Sequence, residues 1–156
     1  MGAHSRGVSY RARTAVALLV AGVSAFGLVG TATAGEGTVD GTPCSEYARA
    51  CVDIDSRQAW LIDDGEVVRG PVPVSTGGEG RETPRGAFSV EWKNKNHRSA
   101  EFNGAPMPFA VFFAAGGIAF HEGNLHTPSA GCVRMSYDDA EAWFEFLQPG
   151  DAVEVR

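Results

Sequence analysis

Ile118-Ala119-Phe120-His121-Glu122-Gly123-Asn124-Leu125-His126-Thr127-Pro128-Ser129-Ala130-Gly131-Cys132-Val133-Arg134-Met135 is the stretch around which the rest of the chain is read. A short apolar run, Ile118 to Phe120, ends in His121 and reads as a buried strand. A loop rich in Gly, Pro and Asn follows and delivers Cys132, flanked by Gly131 and Arg134. A thiol attacks only as its thiolate, so a reactive cysteine needs a nearby base or cation. His121 and Arg134 supply one of each.

Upstream, Met107 to Ala114 is nearly all apolar, as a strand buried on both faces is, and Ala115-Gly116-Gly117 turns it into Ile118. Downstream, Ser136 is a good N-cap with Asp138 and Asp139 in the first turn, and Ala140, Trp143, Phe144 and Leu147 recur at helical spacing. Pro149-Gly150 ends that helix, and Ala152 to Val155 forms a last strand. Nearer the N-terminus, Cys51 to Asp55 and Gln58 to Ile62 lead into the turn Asp63-Asp64-Gly65-Glu66 and on to Val67 and Val68, a β-hairpin pattern. Val72-Pro73-Val74 is extended, and its proline favours a sheet edge. Ser75 to Gly86 is a glycine-rich loop; Phe88, Val90 and Trp92 alternate with polar or small residues as one half-buried strand. Lys93 to Pro106 reads as a loop with a basic patch of Lys93, Lys95, His97 and Arg98, either solvated or a substrate-facing rim. Six or seven short strands and one amphipathic helix make a mainly β domain, a β-sandwich or partly closed barrel with one packed α-helix.

The first segment is expected to lie outside that domain. Arg6, Arg11 and Arg13 precede an apolar run from Ala15 to Gly30, and Ala32-Thr33-Ala34 offers small residues for cleavage, the layout of a secretory signal peptide over residues 1–34. The run is shorter than the ~20 apolar residues of a membrane span, so no stable span is expected once the leader is cut. Cleavage leaves 156 − 34 = 122 residues, 35–43 a flexible lead-in and 44–156 a single domain. Removing three arginines leaves 10 basic against 19 acidic residues, a charge of −9 where the whole chain carries −6. Such a surface repels nucleic acid and anionic lipid, so any carboxylate is recognised by a local cluster such as Arg81, Arg85, Arg98 and Arg134. In an oxidising compartment Cys44 and Cys51 are the natural disulfide pair, leaving Cys132 as either a reactive thiol or a buried small hydrophobe.

The block from Ile118 to Gly123 and the block from Ser129 to Met135 together resemble the signature of the YkuD-type L,D-transpeptidases, in which a strand-end histidine precedes a Ser-His-Gly-Cys block and an Arg or Asn. Thr83-Pro84-Arg85-Gly86-Ala87-Phe88 is similar to the family's Thr-Pro-x-Gly-x-Phe segment, and the hairpin with Gln58 looks like its opening strands. The likeness runs from about Cys51 to Val155 and implies a mixed-sheet β-sandwich or partly closed barrel. Two features differ: Ala130 stands where many members have histidine, and eleven positions separate His121 from Cys132 where most members have more. The second implies a trimmed lid and an open pocket.

The resemblance implies Cys132 as nucleophile and His121 as its base, with backbone N–H groups around Gly131 and Cys132 for the oxyanion. Ser129, Arg134 and Gly123 support the site or bind substrate. It further implies peptidoglycan stem tetrapeptides as partners, a thioester on Cys132, and transfer to a diamino-acid amine as a 3→3 crosslink. Hydrolysis of the thioester makes the same residues an L,D-carboxypeptidase. No metal or organic cofactor is required, and an envelope or secreted location follows from the leader. Two other classes stay open: a zinc peptidase using His121, His126 and Cys132, and a wall-binding protein with a degenerate site. His126 and His97 read as surface residues, and Arg134 has an alternative use in an ion pair with Glu122, Asp138 or Asp139.

Overall fold

The computed structural model describes residues 37–156; the expected signal peptide and the first residues of the lead-in lie outside them. The opening hairpin forms as the alternation requires, from β1 (Ala50–Asp53), β2 (Gln58–Asp63) and β3 (Glu66–Pro73). Asp64 (φ 49°) and Gly65 (φ 76°) both take the left-handed conformation that a tight two-residue hairpin turn needs. Next come β4 (Gly86–Ser89), β5 (Trp92–Arg98), β6 (Pro106–Ala114), β7 (Ile118–Glu122) and β8 (Val133–Met135). Helix α1 (Tyr137–Phe146) and β9 (Ala152–Val155) close the domain.

The strands make two mixed sheets. One has the order β3-β2-β1-β9-β4, with β1 and β9 parallel; the other has the order β5-β6-β7-β8, with β7 and β8 parallel. Neither closes into a barrel, so the expectation resolves to the sandwich. Pro71 and Pro73 sit on β3, at the edge of its sheet, where a missing N–H costs no ladder bond.

Strand alternation builds the layers. Ala50, Val52, Ala59 and Leu61 point into the main core with Phe109, Val111, Phe113, Phe120, Val133, the helix residues Ala140 and Trp143, and Leu147 just past the helix end. Their neighbours Cys51, Trp60 and Ile62 point the other way, under Val39, Cys44 and Ala48. On the four-stranded sheet the face turned from the core carries Met107, Ala110, Phe112, Ala119 and Cys132. The packed region therefore starts earlier than Cys44: Val39 is buried and its N–H donates to the Cys44 carbonyl, so most of the lead-in described here is folded. Cys44 and Cys51 are disulfide-bonded.

Two strands differ from the sequence reading. The pattern Phe88-Val90-Trp92 is not one strand: β4 pairs with β9 in one sheet, and after Val90 the chain crosses to pair β5 with β6 in the other. Lys93 to Arg98 is strand rather than loop. It is a sheet edge with both faces largely exposed, so hydrogen bonding to β6 holds it where no apolar alternation exists to announce it. Among the described residues no helix is long and apolar enough to cross a membrane.

Candidate active site

Parallel pairing of β7 with β8 brings the two halves of the sequence block together. His121 lies opposite Arg134, and Phe120 opposite Val133. Because side chains alternate along a strand, Phe120 and Val133 go to the core while His121, Arg134 and, two residues before it, Cys132 share the outer face. All three line a cavity of about 710 Å³. Its other walls are the β5–β6 loop, the aromatic pair Trp92 and Phe112, stacked with ring centroids 3.9 Å apart, and the Gly116-Gly117 turn.

His121 is buried, and its Nδ1 lies 2.6 Å from the Glu122 carbonyl. A carbonyl only accepts, so Nδ1 carries the proton and Nε2 keeps its lone pair. Burial pushes the imidazole down to about 4, Arg134 and His97 push the same way, and the Glu122 carbonyl opposes them. At neutral pH it is an uncharged base. Burial likewise pushes the Cys132 thiol up, against the Ala119 N–H and the Arg134 charge, with Glu101 adding to the rise. The thiol Sγ sits 3.6 Å from the Gly117 carbonyl. The resting pair is thus neutral thiol and neutral imidazole, and the thiolate forms only as its proton moves.

Arg134 makes none of the ion pairs weighed for it. Asp139 pairs with Arg69 at 2.7 Å, and the Arg134 Nη2 donates to the Thr127 carbonyl and, at 3.3 Å, to the Ser75 hydroxyl. Its stem crosses directly over Gly123, where a Cβ would stand 2.6 Å from Arg134 Cδ. Gly123 is therefore space for the arginine. Of the four arginines expected as a carboxylate cluster, Arg134 alone lines the cavity; Arg85 pairs with Asp55, Arg98 donates to the Gly104 carbonyl, and Arg81 lies over the Phe102 ring.

The cysteine loop is held by residues with no chemistry of their own. Buried Thr83 donates to the Gly131 carbonyl at 2.8 Å and accepts from the Gly77 N–H at 2.9 Å, and bridges pair Ser75 with Arg134 and Gly77 with Ser129. Gly131 has φ 115°, and a Cβ there would meet Ile118 Cδ1 at 2.5 Å. Ser129 donates to the Cys132 carbonyl at 2.5 Å and accepts from the Gly131 N–H at 3.1 Å, so it shapes this loop rather than orienting His121. Of the two N–H groups expected at an oxyanion site, that of Gly131 is taken by Ser129 and that of Cys132 has no partner among the described residues. His126 is exposed, its N–H bonded to Asn124 Oδ1, and does not line the cavity. Among the described residues no three His, Cys, Asp or Glu side chains converge to hold a metal ion, so His121, His126 and Cys132 are not a ligand set.

The L,D-transpeptidase catalytic domain family, YkuD, matches residues 47–155. Among solved structures, an L,D-transpeptidase from Stackebrandtia nassauensis is 30% identical with a TM-score of 0.65, covering 69% of this chain and 54% of its own. One from Mycobacterium smegmatis is 26% identical with a TM-score of 0.61, covering 69% of this chain and 57% of its own. L,D-transpeptidase 1 from Mycobacterium tuberculosis is 26% identical with a TM-score of 0.59, covering 68% of this chain and 60% of its own. The chain thus spans little more than half the length of the solved enzymes it matches. No curated protein matches it in sequence. A match running from the first hairpin through the cysteine loop to the last strand, on a fold shared with these enzymes, means that the chain belongs to the L,D-transpeptidase catalytic domain family.

Proposed function

We propose that this protein is an exported cysteine L,D-transpeptidase acting on peptidoglycan stem peptides, delivered to the cell envelope by its first 34 residues. The observation that carries the reading is the placement of Cys132, His121 and Arg134 on one face of paired strands, in one cavity, in a member of this family. His121 Nε2 takes the thiol proton as Cys132 Sγ attacks the carbonyl of the third residue of a stem tetrapeptide. The Cys132 N–H donates to the oxyanion. As the C–N bond breaks, the imidazolium returns its proton to the departing D-Ala amine, leaving a thioester. The amine of a second stem's diamino acid attacks that thioester, the C–S bond breaks, and a 3→3 crosslink and free thiol result. The remaining Nη1 of Arg134 is available for a substrate carboxylate.

The alternative outcome is hydrolysis. A broad cavity reached by a half-buried thiol admits water to the same thioester, which makes the product a trimmed stem. One assay separates these readings: residues 35–156 with disaccharide-tetrapeptide, products read by mass spectrometry beside Cys132→Ala and a chelator-treated sample. Loss of D-Ala with 3→3 dimers, absent only from C132A, is expected. Loss without dimers makes the protein a carboxypeptidase, loss abolished by chelator makes it a metalloenzyme, and stem binding without turnover makes it a wall-binding protein.

A further inference from the structure

An exposed carboxylate lining the cavity of the nucleophile is at first sight a defect in this site. Glu101 lines the cavity that holds Cys132, and its charge works against the thiolate. Nothing on the protein neutralises it: among the described residues Glu101 makes no ion pair, although Arg98 is close in sequence and Arg81 lies over the neighbouring Phe102 ring; Arg98 donates instead to the Gly104 carbonyl. Nor is it on a loose tail. The loop between β5 and β6 is folded on itself by Ser99, whose N–H donates to the Ala105 carbonyl at 2.9 Å, whose carbonyl accepts from the Gly104 N–H at 2.9 Å, and whose hydroxyl accepts from the Phe102 N–H at 3.1 Å. An unpaired acid held at the mouth of a reactive site opposes the first half-reaction and favours a cation in the second.

The second half-reaction supplies one. The acceptor nitrogen arrives as an ammonium, and the cavity that Glu101 lines carries Arg134 as well, so the site holds one acidic and one basic side chain. We propose that Glu101 is the acceptor-selecting residue: its carboxylate receives the ammonium of the second stem's diamino acid and holds that nitrogen beside the acyl carbon on Cys132. This rests on the transpeptidase reading. Of the two protons the nitrogen gives up, one passes through His121 to the departing thiolate and one leaves to solvent, while the new C–N bond replaces the C–S bond.

Both fates of the thioester share one intermediate, so the ratio of dimer to hydrolysed stem reports acceptor capture independently of how fast Cys132 is acylated. With disaccharide-tetrapeptide as donor and acceptor, Glu101→Gln is expected to lower that ratio about tenfold, the effect of losing one charge-assisted hydrogen bond, and Glu101→Asp to restore most of it. Hydroxylamine, an uncharged nucleophile at neutral pH, is the internal control: its hydroxamate-to-hydrolysis ratio is expected to stay unchanged in E101Q. Glu91→Gln, the same charge change outside the cavity, is expected to alter neither ratio. A dimer ratio unchanged in E101Q, or an equal fall for amine and hydroxylamine, overturns the assignment. Wild-type protein that releases no D-Ala or forms no dimers overturns the underlying transpeptidase reading before any Glu101 variant is compared, and the assignment with it.

Discussion

His121 couples the chemistry of the site to the stability of the fold. Its pKa falls from an ordinary 6.5 to about 4 on folding, chiefly because burial disfavours the imidazolium. Between those values the unfolded chain holds a proton that the folded protein does not, so stability is unaffected above pH 6.5, falls as pH drops through this window, and levels off with respect to this group below about 4. The full loss is on the order of 3 kcal/mol. Urea midpoints measured from pH 7 to 4 are expected to fall steadily in the wild type and much less in His121→Asn; equal slopes in both would remove the buried-imidazole account. Glu154 adds an acid slope of its own at lower pH. Burial alone would raise it, but the Ser45 hydroxyl and N–H and the Arg156 guanidinium hold it below its ordinary value, so its contribution is present above that value and lost beneath it. At this scale Cys132, His121 and Arg134, which share one cavity, were legible in the sequence, because each is a reactive type at a strand end or beside a glycine. It did not disclose Glu101 or the loop-holding use of Ser129, since both depend on which loops the sheet brings together.

Helix α1 shows why the elements were unevenly legible. Its N-terminus is written locally: Ser136 accepts from the Asp139 N–H at 3.2 Å, with acids in the first turn. Its C-terminus is not, for the last turn has no basic residue. The cation comes from an edge strand of the four-stranded sheet. Lys93 on β5 donates to the Phe144 carbonyl at 2.7 Å and the Leu147 carbonyl at 2.6 Å, with its ammonium 4.7 Å from the Phe144 ring centroid. Reading Lys93 to Pro106 as a solvated loop failed for this reason: an edge strand with a polar sequence is held by its ladder and by a lysine reaching a helix 51 residues away, neither of which leaves a periodic trace. Lys93→Met keeps the stem and removes the charge and its three hydrogen bonds, the third to Gln148 Oε1 at 3.4 Å. It is expected to destabilise the domain by about 1 to 2 kcal/mol in chemical denaturation. Lys95→Met, whose ammonium lies 5.1 Å from the Phe109 ring centroid and makes no hydrogen bond among the described residues, is expected to cost less. A K93M midpoint indistinguishable from wild type would show that water caps the helix equally well.

For the molecule as a whole, the layers place structural and chemical functions on opposite sides of one core. The disulfide lies on the outer face of the five-stranded sheet, packed with Val39, Trp60 and Ile62, and the cavity lies on the outer face of the four-stranded sheet. Between them stand the buried rings of Phe113, Phe120 and Trp143. Removing the disulfide should therefore be felt by the fold and not by the site. The pair Cys44 and Cys51 closes a loop with a sequence separation of 7, which on chain-entropy grounds stabilises the native state by about 2.5 kcal/mol. Substituting both by alanine is expected to lower the denaturant midpoint accordingly, while Cys132 alkylates at the wild-type rate at temperatures where the variant remains folded. The two readouts are independent, because alkylation of a native site reports the local position of the thiol and its base rather than the global equilibrium. A variant that loses both together would mean that strain at the disulfide layer is transmitted through β1 and its parallel neighbour β9 into the core and on to β7 and β8, making the five-stranded sheet part of the positioning of the thiol.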